Sequence, residues 1–191
     1  MKKRLGERAR HWIGEFRGRI KADGAGGTWK WLYGHGMPAV LGIPIIKYHR
    51  ITDGLYVGPQ HGKLGRRVLA GAGVTASVSL RIRYNDVERG LGFGEYCHLS
   101  TLDGTPPTHE QLREGVEFIR RVIGGGGSVY VHCQTGLGRG PTMAAAYLIS
   151  EGRSLDEACR MIRAVRPFTH ITPPQMERLR EFELASFGQG H

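Results

Sequence analysis

Between an apolar run and an alanine-rich one the chain reads Val129-Tyr130-Val131-His132-Cys133-Gln134-Thr135-Gly136-Leu137-Gly138-Arg139-Gly140-Pro141-Thr142. A thiol at one end of a short loop and a guanidinium at the other are groups suited to attack on a phosphate monoester. Gly136 and Gly138 let successive backbone N–H groups turn inward with no Cβ in the way, which makes a nest for an oxyanion. Gly140 reads as an N-cap and Pro141 as the first helical residue, so the helix that runs on to Ile149 aims its positive dipole end at the loop. The planar fork of Arg139 matches two phosphate oxygens. Thiols in such a setting ionise near neutrality and become nucleophiles. Cys133 is thus the candidate nucleophile, and Arg139 with Gln134, Thr135, Gly136, Leu137, Gly138 and Gly140 is the candidate phosphate clamp. The competing explanation, a Cys that fills the end of a buried strand, leaves Arg139 and both glycines without a purpose.

Attack by Cys133 expels an alkoxide or phenoxide, which needs a proton. Asp103 is the candidate acid: it follows a predicted strand in Leu99-Ser100-Thr101-Leu102-Asp103-Gly104-Thr105-Pro106-Pro107, a loop able to present a carboxyl over the pocket. Asp-Gly is also a common turn pair, which is the plainer explanation of the same residue. Asp86 and Glu88 are the fallback candidates. His132 is expected to support the Cys133 backbone or its thiolate and not to act as the base. Thiolate, guanidinium and backbone amides supply the nucleophile and the charge stabilisation, so no metal and no organic cofactor is implied.

The string H-C-x-x-x-x-x-R, here His132-Cys133 through Arg139, resembles the signature loop of the cysteine-dependent protein tyrosine and dual-specificity phosphatases. That resemblance covers about residues 48–187 and implies their α/β fold, a phosphocysteine intermediate and an acid at the separation Asp103 has from Cys133. It also implies a water-positioning role for Gln175, although the cap form Thr172-x-x-Gln175 explains that residue better. One departure stands out: after the loop Arg the family usually carries a Ser or Thr whose hydroxyl assists breakdown of the phosphocysteine, and here there is Gly140. Thr142 matches a threonine often found two positions on. Gly136 to Pro141 resembles the loop of the phosphatases of regenerating liver, which also lack that hydroxyl and turn over slowly. A phosphate-binding scaffold or sensor that uses the same loop is therefore the alternative to an enzyme. Leu99-Ser100-Thr101-Leu102-Asp103, Leu112-x-x-Gly115-Val116-x-Phe118, Ala144 to Ile149, and Arg166-Pro167 with Ile171, Gln175 and Phe182 resemble the phosphatidylglycerophosphate phosphatase branch. Its substrates are a phospholipid headgroup, phosphotyrosine mimics and phosphoinositides. Lipid phosphatases of the superfamily often place Lys or Arg inside the loop, whereas the loop here is neutral, which favours a single accessible monoester on a tyrosine or a lipid glycerol.

The elements that must hold these groups are readable around them. Leu55-Tyr56-Val57, Val74 to Leu80, Tyr96 to Leu99 and Val129-Tyr130-Val131 read as strands, with a helical segment from Lys63 to Ala70 between the first two. Thr108-x-x-Gln111, Ser154-x-x-Glu157 and Thr172-x-x-Gln175 each have capping-box form and start three more helices. Leu112, Val116, Ile119 and Ile123 share one helix face, and Leu155, Ala158, Ile162 and Val165 another. Gly124 to Gly127 precedes a strand and reads as a turn, not as a phosphate loop. The expected architecture is α/β: a central, mostly parallel sheet of four or five strands flanked by helices.

The chain has 191 residues, 40% of them apolar, enough for one substantial core with an appendage. Cys97, Cys133 and Cys159 show neither disulfide nor zinc-ligand spacing. The formal charge of +10 is uneven, since residues 1–50 carry +8 and residues 51–191 only +2. A basic, aromatic arm over 1–47 is thus expected before a catalytic domain over 48–191, with Asp23-Gly24-Ala25-Gly26-Gly27 as a linker before Trp29, Trp31 and Tyr33. Arg and Lys interleaved with Leu5, Trp12, Ile13, Phe16 and Ile20 suit an anionic membrane surface, against the plainer alternative of a solvated or packed arm. Nucleic acid is a weaker partner, because charge alone does not distinguish polyanions. The apolar run 37–46 is too short to span a bilayer, and no secretory cleavage pattern follows it. The expectation is a cytoplasmic protein, peripheral on membrane, acting on a phosphorylated protein or phospholipid.

Overall fold

Val129 to His132 forms the middle strand of a five-stranded sheet, and every residue in it is buried. In this computed structural model residues 48–187 are described; the arm, its linker, its aromatic cluster and the apolar run 37–46 lie outside them. The elements follow as β1 (His49–Thr52), β2 (Leu55–Gly58), α1 (Lys63–Gly71), β3 (Ala76–Arg81), β4 (Glu95–Thr101), α2 (His109–Gly124), β5 (Val129–His132), α3 (Arg139–Ser150), α4 (Leu155–Val165) and α5 (Pro173–Phe187). The strand order is β1-β2-β5-β3-β4, parallel throughout except for the β1–β2 hairpin. This is the α/β architecture expected from the sequence. The strand not foreseen is β1, whose four residues are half-buried or exposed and so leave no apolar signature.

Side-chain alternation divides the sheet between two cores. Leu55, Val57, Val129 and Val131 face the larger one, while Tyr56 and Tyr130 point the other way and pack with Leu69 of α1 and Val74. Helix α3 lies over β5, β2 and β3 and is itself covered by α2, α4 and α5. All its residues from Arg139 to Ile149 are buried. Its three consecutive alanines let the neighbours come close, and so does Gly115 of α2, where a Cβ would stand 2.5 Å from Met143 Sδ. Thr108 and Ser154 form complete capping boxes with Gln111 and Glu157. The third is only half formed: Gln175 Oε1 accepts from the Thr172 N–H, but the Thr172 hydroxyl has no partner. On α4 the predicted stripe ends early, because Val165 is 39% exposed and Cys159 takes its place in the core. Among the described residues no helix is long and apolar enough to cross a membrane.

The topology sets the site. In parallel sheets the strand C-termini and the helix N-termini that follow them gather at one edge, and ligands bind there. Here that edge collects the ends of β3, β4 and β5 and the start of α3.

Candidate active site

The loop from Gln134 to Gly138 turns every one of its carbonyls outward onto a donor. Gln134 O accepts from Gln60 N (3.1 Å), Leu137 O from His170 N (2.7 Å) and Gly138 O from Thr142 N (2.9 Å). Thr135 O and Gly136 O accept from Arg166 Nη2 (3.2 Å) and Nε (2.8 Å). With the carbonyls tied down behind the loop, its N–H groups are left on the concave side, as an anion nest requires. Gly136 donates its N–H to Cys133 Sγ at 3.2 Å. It has φ +68°, and a Cβ there would lie 2.3 Å from the backbone of Gly58, so both conformation and space call for glycine.

Arg139 is buried and held by the sheet itself. Its Nη1 donates to Leu80 O (2.8 Å) at the end of β3 and to Thr101 O (2.6 Å) at the end of β4. Its Nη2 lies 2.7 Å from Asp103 Oδ1, while Nε is buried without a partner. Nε and Nη2 are the two donors on one side of the guanidinium, the pair that grips an oxyanion side-on. The helix begins earlier than the sequence predicts: Gly138 is the N-cap, Arg139 the first helical residue, and Gly140 and Pro141 lie inside the first turn. The reason is Thr142, whose N–H and hydroxyl both bond to Gly138 O and close the turn two residues upstream. That bond also directs the Thr142 hydroxyl to the backbone rather than to Cys133.

Asp103 stands at the tip of a turn with its side chain 84% exposed apart from the Arg139 contact. The turn is closed by the Thr105 N–H and hydroxyl on Leu102 O, so Asp103 is not needed to hold it. Gln175 Nε2 donates to Thr105 O, and Gln175 Oε1 is 3.0 Å from where a Cβ on Gly138 would sit. One buried side chain at the start of α5 thereby touches both the acid loop and the phosphate loop.

No hydrogen bond joins the His132 ring to Cys133. Its Nε2 lies 2.9 Å from Asp86 Oδ2, both side chains fully buried, in a contact too far off the N–H axis to count as a straight hydrogen bond. Its ring stacks on Tyr130 and meets His61 edge-on. Gln60 Nε2 donates to the other Asp86 oxygen at 2.7 Å. Burial pushes the Asp86 carboxyl up, but His132, Gln60 and His61 together more than offset this and hold it below its ordinary value. Asp86 is therefore a buried support under β5, not a carboxyl at the pocket, and Glu88 is turned to Asn85. Sequence reasoning did not name Gln60, and it named Arg166, Asp86 and His132 without the contacts they make here: Arg166 on the loop, and Asp86 paired with His132. Arg166 carried a signal of sorts, as an Arg followed by Pro at the end of a helix, but its target lies 30 residues away in the chain.

Residues 55–185 match the family described as dual specificity phosphatase, catalytic domain. The human protein named phosphatidylglycerophosphatase and protein-tyrosine phosphatase 1 is 35% identical over 145 residues, which cover 71% of this chain and 72% of that protein. The crystal structure of PTPMT1 in complex with PI(5)P is similar with a TM-score of 0.70 and 31% identity, over 75% of this chain and 99% of that one. Tk-PTP in its active form gives a TM-score of 0.62 at 30% identity, over 71% of this chain and 95% of that one.

Proposed function

The chain belongs to the dual specificity phosphatase family, and on that premise we propose that it removes a phosphate monoester from a phospholipid headgroup through a phosphocysteine on Cys133. The observation that carries the proposal is the pairing of an outward-tied loop with the side-on fork of Arg139, whose Nε has no partner. An incoming phosphate takes Nε and Nη2 and displaces the Asp103 carboxyl from the guanidinium. The Cys133 thiolate then attacks phosphorus: the S–P bond forms, the O–P bond to the headgroup breaks, and protonated Asp103 gives its proton to the departing oxygen. In the second half a water attacks phosphorus, Asp103 takes the proton, and the S–P bond breaks to release inorganic phosphate. Loop amides, the α3 N-terminus and Arg139 stabilise the charge on the equatorial oxygens in both steps.

Support for a lipid comes from the relative named phosphatidylglycerophosphatase and protein-tyrosine phosphatase 1 and from the similar PTPMT1 structure in complex with PI(5)P, and from the excess of Lys and Arg in residues 1–50. That arm places the protein on anionic membrane in this reading. Phosphate release from liposomal phosphatidylglycerophosphate, phosphoinositides and a phosphotyrosine peptide, with Cys133→Ser as the blank, tests the proposal. The lipid should give the highest kcat/KM; preference for the peptide would reassign the enzyme to protein substrates. Gly140 favours one second reading, a slow-turnover phosphate sensor, which predicts a burst of product followed by almost none.

A further inference from the structure

Arg81 ends β3, one residue beyond the carbonyl of Leu80 that holds Arg139. Its guanidinium lies 3.9 Å from the centre of the Tyr84 ring, and that of Arg89 lies 4.2 Å from the centre of the same ring. Gln60 Oε1 accepts from Arg81 Nη1 at 3.3 Å. Among the described residues no carboxylate forms an ion pair with either Arg81 or Arg89; Arg81 feels the Asp86 charge at a distance, opposed by the like charges of Arg139 and Arg89. The acidic groups nearby are occupied: Asp86 is buried under Gln60 and His132, Glu88 faces Asn85, and Asp103 is on Arg139. Two cations fixed on one ring beside a third, neither of them in an ion pair with a carboxylate, form a site for an anion that the chain does not place there. The segment is also strained where it leaves the strand: Arg83 is the one non-glycine with positive φ (55°) among the described residues.

We propose that Arg81 and Arg89, fixed by Tyr84, form a second anion subsite that binds the phosphodiester of a phospholipid whose monoester occupies the Cys133 loop. The proposal rests on the lipid reading above and extends it to the feature that separates one headgroup from another. A headgroup with a phosphodiester one glycerol away from its monoester presents two anions on a short tether, matching a clamp at Arg139 and a subsite that begins one residue past the Leu80 carbonyl anchoring it. Apolar side chains at the same edge favour a lipid over an acidic peptide. Ile82, Val87 and Leu102 are 45%, 54% and 58% exposed, next to Arg81, within the same loop and next to Asp103. Such a rim suits the boundary between headgroups and acyl chains.

The test uses the full chain and competition against hydrolysis of an aryl phosphate, with glycerol phosphate and the deacylated headgroup glycerophosphoglycerol phosphate as the probes. The deacylated headgroup should inhibit about tenfold more strongly than glycerol phosphate, the worth of one charge-assisted contact. Arg89→Gln, on an exposed side chain, and Arg81→Gln should each bring the ratio of the two inhibition constants toward one. A ratio near one in the wild type, or one that survives both substitutions, overturns the subsite. So does an Arg-dependent advantage seen only with acidic phosphotyrosine peptides. Because the readout is binding, it stands apart from lipid turnover: vesicles that are not hydrolysed would defeat the substrate proposal, while the inhibition ratio decides the subsite.

Discussion

At Gly140 a Cβ would meet nothing closer than 3.7 Å, where the nearest atoms are Cys133 N and the backbone of His132. The missing hydroxyl of this loop is thus not forced by space, and a serine fits where the family usually has one. Gly140→Ser should raise steady-state turnover by about three- to tenfold, the rate equivalent of one hydrogen bond in the second step. A stopped-flow trace resolves it: the steady-state slope rises while the burst amplitude stays, and a slope that is unchanged or lower in a folded variant contradicts the assignment. Gly136 is the opposite case, since its φ of +68° and the 2.3 Å approach to Gly58 exclude any side chain. In sequence both glycines belong to the phosphate loop with nothing to show the space around each, and Asp103 is preferred to Asp86 only for the loop it sits in. What separates the two aspartates is burial, 0% exposed at Asp86 against an exposed side chain at Asp103, and burial is set by strands that come together from distant parts of the chain.

Between elements, the loop is braced mostly from outside itself, by Gln60 after β2, Thr142 of α3, Arg166 at the end of α4 and His170 before α5. Arg166, the C-cap of α4, binds Thr135 O and Gly136 O and donates through Nη1 to His49 Nδ1 of β1. Arg166→Gln removes the donors of two buried carbonyls, so the loop loses its fixed curvature. A fall in kcat on the order of 10²-fold is expected, as for a modest misplacement of reacting groups. Comparing kcat with KM for an aryl phosphate checks it, with circular dichroism to confirm the fold; an unchanged kcat would show that the loop holds its shape alone. Helices and buried strands were legible because capping pairs and apolar periodicity are local signals. The start of α3 was misplaced by two residues because Pro141 suits the first position of a helix as well as the third, and the hydroxyl of Thr142 decided between them. At Thr172 the half of the cap that forms is the one made by the Gln175 side chain, which also reaches Thr105 of the acid loop, a partner 70 residues away.

For the molecule as a whole, the cluster under β5 couples stability to pH. Burial is the main cause that holds His61 below its ordinary value of 6.5, with its Nε2 donating to Leu91 O. A histidine whose folded pKa is lowered contributes stability that is complete above 6.5 and is lost as the pH falls through the lowered value. Asp86, also lowered, acts in the same direction further down: its contribution is complete above 3.8 and fades as the pH falls through its folded value. Thermal melts between pH 8 and pH 5 should therefore show Tm falling with acidification, and His61→Gln should flatten the slope; a slope unaffected by the substitution would remove His61 as its source. The architecture was legible from alternating strands and helices, whereas the coupling of Gln60, His61, Asp86 and His132 was not. It joins the ends of β2 and β5 to the segment after β3, and only the parallel sheet brings them together.

The phosphocysteine is the step in which the thiol, the loop amides and Arg139 all act together. Rapid acid quenching during turnover of an aryl phosphate, followed by mass spectrometry of the peptide that contains Cys133, measures it directly. One phosphoryl group is expected on Cys133, formed in the burst phase, longer-lived in the wild type than in Gly140→Ser and absent from Cys133→Ser. Phosphate release with no phosphoryl adduct on Cys133 at any quench time, or an adduct on another residue, would contradict this expectation.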